Sequence, residues 1–68
     1  MESIVVTRLN ASAVRRWLAS FGFQLAAGSG PSALSIARGN GQSLVFGPGT
    51  VLTWDRAARV LVKGPAAA

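Results

Sequence analysis

The chain reads as an α+β fold: one amphipathic helix packed on a small antiparallel meander of roughly four to five strands, in the order β-α-β-β-β-β. Three observations predict it. Val14, Trp17, Leu18 and Phe21 recur at the i, i+3, i+4, i+7 spacing of a single helical face. From Leu34 to Lys63, short apolar runs alternate with the turn signals Gly39-Asn40-Gly41, Gly47-Pro48-Gly49-Thr50 and Asp55-Arg56-Ala57-Ala58. The length, 68 residues, holds one domain. That domain is taken as residues 1–63, with 64–68 as a frayed tail.

The first strand is expected over Ser3–Leu9, which is rich in β-branched residues. Alternation places Val5, Thr7 and Leu9 on one face and Ile4, Val6 and Arg8 on the other. Both faces are largely apolar, as in an inner strand or one covered on both sides. Asn10 then reads as a helix N-cap, with Leu9 and Val14 at the spacing of a hydrophobic staple. The helix is expected over about Ala11–Phe21, with Gly22 as the residue that ends it. Phe23-Gln24-Leu25 starts a short strand, and Ala26–Ser32 is a flexible connector. The connector's Gly28-Ser29-Gly30 is not a phosphate loop, because no Gly-Lys-Ser/Thr follows and no helix opens after it.

Leu34–Arg38 and Gln42–Phe46 form a hairpin on the Asn-Gly signal. A two-residue Asn40-Gly41 loop would pair Ile36 with Val45. A three-residue loop pairs Ile36 with Leu44 and Leu34 with Phe46, and is preferred because it gathers four large apolar side chains on one face. Gly47-Pro48-Gly49-Thr50 suits a type II turn. In the last hairpin, a loop over Asp55–Ala58 pairs Leu52 with Leu61, Thr53 with Val60 and Trp54 with Arg59. One face then carries Val51, Thr53, Val60 and Val62; the other carries Leu52, Trp54, Arg59, Leu61 and Lys63.

Composition excludes more chemistry than it suggests. There is no Cys and no His, and the only acids are Glu2 and Asp55. Disulfides and thiolate metal sites are therefore out, and two separated carboxylates do not make a metal site. General acid–base and nucleophilic catalysis need residue types the chain lacks, so it reads as a non-enzyme without cofactor or metal. No apolar run reaches the roughly 18–20 residues that span a bilayer, and the N-terminus carries Glu2 where a signal peptide is basic. The expectation is a cytoplasmic protein that does not engage membranes.

A chain this short buries a thin core, so a partner or a second copy is the natural remaining source of stability. The net charge is +5, from six Arg and one Lys. It reads either as a solubility device or as a footprint for a polyanion.

The segment Gly47-Pro48-Gly49-Thr50-Val51-Leu52-Thr53-Trp54-Asp55, followed by Arg59-Val60-Leu61-Val62, resembles a C-terminal hairpin of small tailed-phage and prophage proteins. Those carry Pro-Gly-Asp-Trp or similar, then alternating apolar residues, a tight turn and a last strand. Here Thr50 and Val51 stand where Asp and an aromatic are usual. The resemblance implies a phage-encoded accessory protein, in the host cytoplasm, and assigns no functional residue.

Two surfaces are candidate sites. The last hairpin has two apolar faces, and one short helix covers only one. The other is either closed over by the first strand and the connector or left open as an interface. As an interface its anchors would be Leu52, Trp54 and Leu61, rimmed by Arg59 and Lys63. The partner would be another protein, with self-association into a homo-oligomer. The rival is a basic nucleic-acid binder that uses Arg15, Arg16, Arg56, Arg59 and Lys63, with Trp54 as a stacking platform. A minor virion structural component is a further reading.

Overall fold

The computed structural model describes residues 2–28 and 34–65. In chain order its elements are β1 (Glu2–Val5), α1 (Ala11–Ala19), β2 (Gln24–Ala27), β3 (Ser35–Gly39), β4 (Gln42–Phe46), β5 (Thr50–Asp55) and β6 (Val60–Pro65). The α+β class holds, but the single meander does not. The strands form two three-stranded antiparallel sheets, a first of order β1-β5-β6 and a second of order β2-β3-β4.

The Gly47–Thr50 turn explains the division. It is the expected tight turn, with the Thr50 amide donating to the Gly47 carbonyl at 3.3 Å and Gly49 at φ 91°. It does not fold β5 back onto β4. Instead the Gly49 amide donates to Val6 O at 2.7 Å and the Val6 amide to Thr50 O at 2.8 Å. The start of the chain thus takes the pairing that a meander would have given to β4. β1 is consequently an edge strand, not the inner or doubly covered strand expected. Its Ile4 and Val6 face the core, while Val5 is 47% exposed.

The helix holds Val14 and Leu18 in the core and leaves Trp17 and Phe21 partly covered, as the apolar spacing predicts. It ends at Ala19, two residues early. The Gly22 amide bonds Ala19 O and the Phe23 amide bonds Leu18 O, with Gly22 at φ 87°. This is the Schellman ending, in which a glycine takes the left-handed conformation at least cost. The N-terminal expectation fails. Asn10 makes no side-chain cap, and Leu9 is 97% exposed, so no staple forms with Val14. The Asn10 carboxamide is occupied elsewhere: its Nδ2 donates to Val5 O at 2.7 Å and its Oδ1 accepts from the Thr7 amide at 2.9 Å.

The connector starts later than expected, because Ala26 and Ala27 belong to β2 and pair with Ile36 and Ser35. Its centre, 29–33, lies outside the described residues. In the β3–β4 hairpin the register is the two-residue one, with Ile36 opposite Val45 and Ala37 opposite Leu44. Asn40 and Gly41 have φ 50° and 77°, the paired positive values of a type I′ turn whose twist matches the strands. One residue of slip turns β3 over. Ala37 is fully buried, and Leu34, expected inside, is 58% exposed. At the end of β3 a small residue is required by the turn that leads from α1 into β2. A Cβ on Gly39 would come 2.8 Å from Phe23 Cα.

The β5–β6 register is shifted by two residues from the expected one: Leu52 faces Lys63, Thr53 faces Val62 and Trp54 faces Leu61. Asp55 is the cause. It lies at the end of β5, not in the loop, where its carboxylate accepts the Ala58 amide at 3.1 Å and its carbonyl the Arg59 amide at 2.8 Å. Arg59 falls into the turn at φ 56°, no longer opposite Trp54. The shift draws Gly64 and Pro65 into β6 opposite Val51 and Thr50. They are part of the sheet and not of a frayed tail; 66–68 lie outside the described residues.

Candidate functional site

A shift of two residues preserves which side chains share a face, so the two faces of the last hairpin are those predicted. The structure exchanges their roles. Leu52 is 0% and Leu61 2% exposed, both packed with Val14, Leu18 and Phe46 in the core. They cannot anchor a partner. Trp54 is half-buried, its ring stacked on Phe21 at 4.7 Å and 16°, with Phe23 edge-on at 6.0 Å. Trp17 meets Phe21 edge-on at 5.0 Å. This run of aromatics fastens α1 to β5, and it uses the ring face that a base would have stacked on. The larger side chains face the helix because only they can reach across to it.

The outer face of the first sheet is the open one. Register places Val5, Val51 and Gly64 side by side in one row and Ser3, Thr53 and Val62 in the next. Val60 follows on the same side of β6. Val62 is 50% exposed and Val5 47%. At the turn end of this face lies a shallow depression of about 470 Å³, lined by Thr53, Trp54, Asp55, Arg56 and Val62. It joins an apolar floor to one guanidinium, Arg56, and one carboxylate, Asp55. The sequence already placed these valines together. The signal that would have marked them as outward is size: Val and Thr suit an uncovered pleat, while Leu and Trp fill depth.

The cations do not form one patch. Arg15 is tied to the second sheet, its Nη1 donating to Leu25 O at 2.8 Å. Arg16 is exposed on the last turn of α1. Arg56 and Arg59 sit together in the β5–β6 turn, both exposed. Lys63 extends from β6 toward β4 and donates from Nζ to Val45 O at 2.7 Å. Of these, Arg56 lines the depression on the open face; Arg59 and Lys63, expected to rim the face of Leu52, Trp54 and Leu61, lie instead in the turn and against β4. No helix among the described residues is long and apolar enough to cross a membrane. Comparison of the chain with protein-family models, curated proteins and solved structures found no match.

Proposed function

We propose that the chain is a non-enzymatic protein-binding module that works through the outer face of its first sheet. The observation that carries this reading is the row of Val5, Val51, Thr53 and Val62, uncharged and with two valines about half exposed. Exposed apolar surface gathered on one face of a soluble domain marks a contact site. Arg56 and Asp55 at its rim suit a partner with an apolar centre and flanking groups of both charges. The hairpin's likeness to phage proteins extends the reading to a phage-type accessory or host-modulating factor in the host cytoplasm.

The test is a tagged pull-down from bacterial lysate, with and without nuclease, comparing the native chain with Val5→Asp/Val62→Asp. The expected result is one protein retained through nuclease and lost by the double variant, whose melting temperature stays near native. Equal retention by the double variant defeats the reading. Retention that collapses with nuclease transfers the function to Arg16, Arg56 and Arg59 as a nucleic-acid contact. That contact would also weaken steeply with salt.

A further inference from the structure

The chain carries a net charge of +5, and its only acids are Glu2 and Asp55. Over most of its surface a second copy therefore meets like charge. The fold gathers both acids at one end of the first sheet. Glu2 lies opposite Trp54, the residue before Asp55, and both acids are exposed. At that end Asp55 and Arg56 line one depression together with Thr53 and Val62. The outer valines continue from it along the sheet. A carboxylate and a guanidinium at one depression make a pattern that complements itself. A two-fold axis through the depression sets Asp55 of each copy against Arg56 of the other and packs Val62 of one copy near Val62 of the other.

We infer, resting on the reading of this face as a contact site, that it packs against the same face of a second copy as an isologous dimer. An apolar centre flanked by groups of both charges is what a second copy presents. Size sets the strength of the contact. Stable interfaces engage about 20–30 residues a side. This face offers Ser3, Val5, Val51, Thr53, Val60 and Val62, with the charges at one end. The dimer is therefore weak and reversible, and at the dilution of a pull-down the face stands open to another protein.

Sedimentation from about 1 μM to about 1 mM, the range of weak interfaces, tests it. The native chain passes from monomer to dimer within that range. Val5→Asp/Val62→Asp, shown to be folded by its melting curve, stays monomeric throughout. Arg56→Glu alters only an exposed turn residue, so it carries the test if the valine variant fails to fold. It weakens the dimer about tenfold, because two symmetric ion pairs are lost together. The sign is diagnostic. The change lowers the net charge of +5 by two units, and general repulsion alone would then make the variant associate more tightly than the native chain. A native chain that is monomeric across the range overturns the dimer. So does an unweakened dimer in the valine variant, or an Arg56→Glu chain that associates as tightly as the native one or more so. The dimer and the lysate partner fail separately. A monomeric native chain that still loses a lysate protein on Val5→Asp/Val62→Asp gives the face to that protein and overturns the dimer alone. A dimer that retains no lysate protein overturns the lysate partner alone.

Discussion

The two faces of the first sheet are built from the same three strands, yet one is the core and the other is surface. On the inner face Leu52 and Leu61 are almost wholly covered. On the outer face Val5 and Val62 remain about half exposed. Nothing in average hydrophobicity separates them. Reach does: Leu and Trp side chains extend far enough to touch α1 and the aromatics behind it, and valine does not. A sheet face becomes core when another element offers something to interlock with. Among the described residues there is a single helix, and it serves one side.

Four substitutions sharpen that contrast, taken from the largest expected effect down. Leu52→Ala opens a void in the middle of the core and should cost about 2–5 kcal/mol. In a domain this small that is enough to unfold it, and chemical denaturation would show the loss; a native-like midpoint would mean that the inner face is not core. Gly39→Ala forces the backbone of the Gly22–Phe23 turn to move away and should cost about 1–3 kcal/mol, visible as a lowered melting temperature. Arg59→Gly relieves a left-handed residue and should stabilise by roughly 1 kcal/mol. If it does not, the turn is not strained in solution. Val62→Thr, on the outer face, should lie within about 0.5 kcal/mol of native. A loss as large as that of Leu52→Ala would show the outer face buried as well.

Local rules were strong where a single residue controls the geometry. The 3.6-residue spacing of Val14, Trp17, Leu18 and Phe21 located the helix and its buried side. Gly22 marked its end, and Pro48-Gly49 marked the turn, both with the positive glycine φ those roles require. The division of the last hairpin into two faces was legible too, and it survived a wrong register because the slip was an even number of residues. The slip in the β3–β4 hairpin was odd, so it turned β3 over. There, counting large apolar side chains favoured Ile36 and Leu34 over Ala37. A local count does not register that Ala37 is buried in the core and that Gly39 lies against the Gly22–Phe23 turn.

The candidate site shows the same boundary. The residues Val51, Thr53, Val60 and Val62 were grouped from alternation alone, but their exposure was not, because burial depends on what lies opposite. Leu52, Trp54 and Leu61 looked like anchors for the property that makes them core: they are the largest apolar groups on the hairpin. Arg15, Lys63, Asn10 and Gln42 carried no signal for their edge contacts, since these link positions as distant as Gln42 and Leu61.

The sequence by itself determined the α+β class, the helix, the places of the turns, the β3–β4 and β5–β6 pairs though not their registers, and the absence of the residue types that catalysis by His or Cys requires. Each of these depends on neighbours within a few residues, where backbone geometry and period dominate. Only the tertiary structure decided that β1 leaves the chain's start to pair with β5, that two sheets form in place of one, and which face of the first stays open. Those outcomes turn on which distant surfaces interlock, and a one-dimensional pattern of apolar residues is silent about which of two equally apolar faces finds a partner.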